Sequence, residues 1–77
     1  SLLSAAAEVL KASDEPLNCG RMISLAKEKG LWEPTEGKTP EQTLYSAIVR
    51  EIKEKGERSR FKKSDLRGHY SWANPAN

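Results

Sequence analysis

The chain has 77 residues, of which 13 are Lys or Arg and 11 are Asp or Glu, so its formal net charge is +2 at pH 7. This length suits one monomeric domain with a single small core and excludes a large substrate cavity. The single cysteine excludes an internal disulfide. No secretory signal or apolar run of roughly 20 residues is visible, so we expect no membrane contact. The expected location is cytoplasmic and nucleoid-associated in a bacterium, or nuclear in a eukaryote.

The first predicted element is an amphipathic helix from residue 2 to about residue 12. Its apolar side chains recur at the spacing of three and four residues that places them on one helix face. They are Leu3, Ala6, Ala7 and Leu10. Pro16 cannot continue a helix because it lacks the backbone N–H, so Pro16 and Leu17 predict a short extended segment.

The second predicted helix begins after Asn18, whose side chain suits the N-cap position. The same apolar spacing recurs at Cys19, Met22, Ile23 and Ala26. Gly30 suits the left-handed position after the helix, and the preceding lysines suit its last turn. Residues 31–38 predict a loop. Trp32 within it either packs the loop onto the third helix or is exposed for a partner.

The third predicted helix has the clearest start in the chain. Thr39 suits the N-cap and Pro40 the first helical position, and Gln42 lies where it completes a capping box. Apolar side chains recur every four residues on one face: Leu44, Ile48 and Ile52. The opposite face carries short polar residues and cations, a mixture typical of helices that contact DNA. These residues are Thr39, Thr43, Ser46, Arg50 and Lys53.

Residues 60–63 and 69–72 predict two strands of a hairpin, since polar and apolar side chains alternate around a turn that contains Gly68. The side chains predicted to face the helices are Phe61, Tyr70 and Trp72, and those predicted to face water are Lys62, His69 and Ser71. Five cations and one anion lie between residues 58 and 68. Such a basic patch on a small domain favours a polyanionic partner, although a solvated hairpin also carries charge.

This order of elements predicts a mainly α fold with a small β hairpin, a winged helix-turn-helix of three helices plus a wing. Residues 1–73 are predicted to form the domain and residues 74–77 a flexible C-terminal tail. The third helix would be the recognition helix, and the hairpin would be the wing.

Catalytic and metal-binding patterns are weak. Residues 37–39 end like a phosphate-binding loop, but Trp32 occupies the position where that motif needs its first glycine. Cys19 and His69 are single instances of metal-ligand types, and a zinc site needs about four ligands. The hydroxyl, carboxylate and imidazole groups of residues 64–69 are crowded into one predicted turn. We therefore expect no enzymatic activity, no metal and no cofactor.

Several segments match one known family. They are residues 5–10, 15–18, 22–23, 29–32, 37–44, 50–52, 59–61 and 68–72. On these segments the chain resembles the HARE-HTH domain, a winged helix-turn-helix module of additional-sex-combs-like chromatin proteins, restriction endonucleases and the delta subunit of bacterial RNA polymerase. The resemblance implies a nucleic-acid-binding module without catalytic residues. Because the delta subunit uses its copy on RNA polymerase, the partner class stays open.

DNA-contacting residues are predicted from helix geometry. A helix in the major groove contacts bases through Arg with guanine and Gln with adenine, and the candidates are Thr39, Gln42, Thr43, Ser46 and Arg50. The candidates for phosphate contacts are Lys53, Arg58, Arg60, Lys62, Lys63 and Arg67. An ordinary solvated helix face is the alternative, and Glu41 and Glu54 near this surface favour it.

The sequence thus predicts a monomeric, non-catalytic module that binds double-stranded DNA and targets a larger restriction, modification, chromatin or transcription protein. The alternative is a protein–protein interaction module that binds RNA polymerase or another transcription or chromatin component through Trp32 and the wing.

Overall fold

A computed structural model describes residues 1–34 and 39–75. The elements in chain order are α1 (Leu2–Lys11), β1 (Leu17–Asn18), α2 (Cys19–Glu28), α3 (Pro40–Lys55), a 3-10 turn (Gly56–Arg58), β2 (Phe61–Lys63) and β3 (His69–Trp72). The predicted winged helix-turn-helix fold is confirmed. Residues 35–38, which belong to the predicted loop and to the rejected phosphate-loop motif, and residues 76–77 of the predicted tail lie outside the described residues. No helix in the described ranges is long and apolar enough to cross a membrane.

The three strands form one antiparallel sheet in the order β1-β3-β2. Tyr70 in β3 pairs with Leu17 on one side and with Lys63 on the other. The backbone N–H of Ala73 donates to the carbonyl of Arg60 at 2.9 Å, which extends the pairing by one step. The extended segment predicted after the first helix is therefore the third strand of the sheet. Residues 61–72, which comprise β2, β3 and the turn between them, are called the wing below.

The hydrophobic core lies between the three helices and one face of the sheet. Its largest fully buried side chains are Leu10, Met22, Leu44, Ile48 and Phe61. Tyr70 is also buried, as the hairpin pattern predicted, whereas Trp72 is only partly buried. Trp32 and Cys19 are partly buried as well and pack against the core. Trp32 thus serves mainly to hold its loop against the domain.

The starts of α2 and α3 are capped differently. Asn18 Oδ1 accepts a hydrogen bond from the N–H of Arg21 at 2.7 Å, so the predicted cap of α2 is confirmed. Thr39 makes no side-chain capping bond. The capping box predicted with Gln42 is therefore wrong. The physical difference is the backbone: ψ is 170° at Asn18 but 94° at Thr39, which turns the threonine side chain away from the first-turn N–H groups.

We expect Asn18→Ala to lower the free energy of unfolding by about 1 kcal/mol, because it leaves a first-turn N–H without its side-chain acceptor. Thr39→Ala serves as the matched variant and should cost only a few tenths of this, since no capping bond is lost. Urea denaturation followed by circular dichroism measures both. Equal losses for the two variants would contradict the difference in capping.

Candidate nucleic-acid interface

The outer face of α3 is open to solvent because its other face is buried in the core. Leu44 and Ile48 are completely buried, and the predicted contact residues on the helix are all exposed. These exposed residues are Thr39, Gln42, Thr43, Ser46, Arg50 and Lys53. With about 3.6 residues per turn, Ser46 and Lys53 lie nearly opposite the buried stripe. The face predicted to contact a partner is therefore the exposed one.

The wing lies beside one flank of α3, and a hollow of about 370 Å³ separates them. Tyr45 lines the helix side of this hollow, and Lys63, Leu66 and Arg67 line the wing side. Its floor includes Tyr70, which is almost fully buried. The hollow therefore combines an apolar floor with two cations, and it joins the helix face and the wing into one concave surface.

Lys62 and Lys63 project from opposite faces of the wing, because successive strand residues alternate. Lys63 pairs with Tyr70 and lines the hollow beside α3, whereas Lys62 pairs with Ser71. Both lysines are exposed, as is Arg67 in the turn. The wing consequently carries positive charge on the face towards α3 and on the face away from it.

The turn of the wing is held by Ser64 and closed by a glycine. The Ser64 N–H donates to the carbonyl of His69 at 3.1 Å, and Ser64 Oγ accepts from the N–H of Leu66 at 3.2 Å. Gly68 has a φ of +74°, a conformation that side chains disfavour. His69 Nδ1 lies 3.0 Å from the carbonyl of Arg67. Because that carbonyl only accepts, Nδ1 carries the hydrogen, and the imidazole is fixed within the turn.

Arg60 differs from the other cations predicted to contact phosphates. Its guanidinium donates from Nη2 to Glu51 Oε1 at 2.6 Å and from Nε to Glu51 Oε2 at 3.1 Å. Its backbone N–H also donates to Glu51 Oε2, at 2.8 Å. Glu51 lies on α3 and is 5% exposed. This pair therefore fastens the start of β2 to the recognition helix and engages the donors of Arg60 inside the domain.

The ion pair changes the titration of the glutamate. Hydrogen bonds from the Arg60 side chain lower the pKa of the Glu51 carboxyl below its ordinary value of 4.5, although burial opposes this effect. Glu51 is therefore ionised at neutral pH, and the sequence analysis did not single it out. Its signal was present, since position 51 lies seven residues after Leu44 and three after Ile48, within the buried stripe.

Sequence reasoning also missed three exposed apolar side chains on this surface. Tyr45, Val49 and Leu66 are 52%, 37% and 58% exposed. Val49 follows Tyr45 by one helical turn, so both lie on the side of α3 towards the wing. Their signal in the sequence is that they are large apolar residues outside the four-residue repeat of the core.

The predicted site residues thus fall into three groups. The exposed face of α3 and the wing turn form one surface, which carries the predicted base contacts together with Lys53, Lys63 and Arg67. Arg58 is exposed in the 3-10 turn, and Lys62 is exposed on the outer side of the wing. Arg60 is engaged by Glu51. Their contacts with DNA stay predictions.

Three helices followed by a hairpin that packs beside the third helix define a winged helix-turn-helix domain. A family model agrees with this class. The model is HARE-HTH, described as a helix-turn-helix domain of ASXL proteins and restriction endonucleases, and it matches residues 1–67. The chain belongs to the HARE-HTH family, a family of helix-turn-helix DNA-binding domains rather than of catalytic domains. No curated protein and no solved structure matches the chain.

Proposed function

We propose that the chain is a non-catalytic module that binds double-stranded DNA, with α3 in the major groove and the wing on the phosphates. The observation that carries this proposal is the exposed polar face of α3, which adjoins a wing with three exposed cations in a domain of helix-turn-helix class. The 3-10 turn adds the exposed Arg58 to the same basic segment of the chain.

The dimensions of α3 suit the major groove. A helix of about 10–12 Å diameter enters a groove about 12 Å wide, and α3 has 16 residues, a length of roughly 24 Å. Gln42 and Arg50 lie two turns apart and reach outwards, so they suit adenine and guanine edges respectively. Ser46 lies between them, and its short side chain allows the helix backbone to approach the bases.

Phosphate contacts are assigned to exposed cations on either side of α3. They are Lys53, Arg58, Lys62, Lys63 and Arg67. Arg60 is left out of this set, since its guanidinium and backbone N–H are bonded to Glu51. Phosphate contacts fix the register of a protein on DNA without selecting a sequence.

We further propose that this module brings a larger protein to DNA, one that acts in restriction, modification, chromatin or transcription. A monomeric domain with few phosphate contacts binds DNA weakly by itself. A second DNA-binding domain in the same protein would raise its effective affinity without any new contact in this one.

Titration of the domain into a fluorescent random-sequence duplex tests the proposed function. Between about 50 and 200 mM salt, five phosphate contacts should reduce the affinity by at least about 100-fold, because each contact releases condensed counterions. Fluorescence anisotropy measures this loss. If no binding occurs at 50 mM salt and high protein concentration, the proposal fails and the protein-interaction alternative gains support.

A further inference from the structure

We infer that Val49, with Tyr45 beside it, contacts the C5-methyl group of thymine in the major groove, so that the domain selects thymine within its binding site. This inference rests on the proposed function. It goes beyond it by assigning base selection to an apolar contact in addition to hydrogen bonds from Gln42 and Arg50.

The first observation is the concentration of exposed apolar side chains on one surface. Of the four large apolar residues that are exposed in the described part of the chain, Tyr45, Val49 and Leu66 belong to α3 and the wing turn. Single exposed apolar residues are ordinary on protein surfaces, whereas apolar groups collected at one place mark a binding site.

The second observation is the position of Val49 on the helix. It lies on α3 between Tyr45 and Lys53 around the helix axis, on the half that faces away from the core. An open hollow of about 550 Å³ runs along this face and is lined by Tyr45, Val49 and Arg50. Tyr45 also lines the hollow beside the wing, so its ring connects the two hollows.

The third observation is the charge around these apolar groups. Arg50 and Lys53 border Val49 along the helix, and Lys63 and Arg67 border Tyr45 on the wing. A surface with an apolar centre and cations around it complements a duplex, whose phosphates line the groove on both sides. Among the base edges of the major groove, the thymine C5-methyl is the apolar group. Charge complementarity therefore favours DNA as the occupant.

The test begins with selection of tightly bound duplexes from a random pool by the full chain. Each thymine of the selected duplex is then replaced by uracil, which removes the methyl group and leaves the hydrogen-bonding edge unchanged. We expect at least one such replacement to weaken binding by about fourfold, the effect of one buried methyl group.

Val49→Ala should remove this sensitivity, so that the thymine and uracil duplexes bind equally. Val49→Thr retains one methyl in the same shape and should keep part of it. Arg50→Ala is the matched variant on the same helix: it should weaken binding, yet the difference between thymine and uracil should persist. Val49 is partly exposed, and thermal unfolding of each variant verifies that the fold is retained.

The outcomes separate this inference from the proposed function. Salt-sensitive binding that is indifferent to every uracil replacement would overturn the methyl contact and leave DNA binding intact. An undiminished uracil effect in Val49→Ala would overturn the assignment to Val49. Failure to bind any duplex would overturn the proposed function and this inference with it.

Discussion

Glu51→Ala is expected to lower the free energy of unfolding by about 2–3 kcal/mol. The substitution removes the acceptor of three hydrogen bonds from Arg60, including one from its backbone N–H. Loss of one partner of a buried ion pair is costly because the other charge is left uncompensated. The Arg60 side chain is 31% exposed, so water relieves part of this cost. Urea unfolding followed by fluorescence of the two partly buried tryptophans measures the change.

Two further variants give this measurement its controls. Glu54→Ala removes the same group from the exposed side of α3 and should change stability by less than about 0.5 kcal/mol. Arg60→Ala in the Glu51→Ala background completes a double-mutant cycle, and strong coupling between the two changes is expected. If Glu51→Ala and Glu54→Ala destabilise the domain equally, the ion pair contributes nothing to the fold.

The same pair makes stability depend on pH. Because the folded state lowers the pKa of Glu51, the stabilisation is fully present above the ordinary value of 4.5 and is lost as pH falls through the lowered pKa. Glu51→Gln retains the shape of the side chain and cannot titrate. Its stability should therefore lack this part of the acid loss, which urea unfolding between neutral and acidic pH detects.

Lys62→Ala/Lys63→Ala is expected to weaken duplex binding by about tenfold at low salt, on all sequences alike. The two cations lie on opposite faces of the wing, and each is assigned to a phosphate. Loss of both contacts should reduce the slope of log affinity against log salt by about 1.8. Anisotropy titrations at several salt concentrations, with two unrelated duplexes, measure the affinity and the slope together.

A charge-matched variant distinguishes a local contact from the effect of net charge. Lys27→Ala/Lys29→Ala removes two exposed cations at the end of α2, outside the surface formed by α3 and the wing. It should affect binding much less. Between the single wing variants, Lys63→Ala should have the larger effect, because Lys63 lines the hollow beside α3. Equal losses for the two double variants would contradict the assignment of phosphate contacts to the wing.

The helices of this domain could be predicted closely from the sequence. Pro16 and Gly30 bound the first two, and the buried stripe that includes Leu44 and Ile48 defines the third. These signals are local, since helix periodicity and backbone restrictions act within a few residues. The strand that contains Leu17 could be predicted as extended, but its place at the edge of the sheet depends on pairing with Tyr70, far along the chain.

The candidate site could be predicted only in part, for the same physical reason. The count of cations located the basic wing, yet nothing local to Arg60 showed that its guanidinium is bonded to Glu51. The four-residue repeat described one stripe of α3 and left Tyr45 and Val49 without a role. Their exposure depends on how the wing packs beside the helix. In both cases the missing information is a contact between elements.

The central claim is that α3 and the wing form the DNA-binding surface, and NMR mapping of the labelled domain with a duplex tests it most directly. As duplex is added, the backbone amides of residues 42–53 and 62–69 should shift progressively, those of α1 should stay in place, and salt should reverse the shifts. Shifts confined to another surface, or no shifts at low salt with excess duplex, would contradict the account.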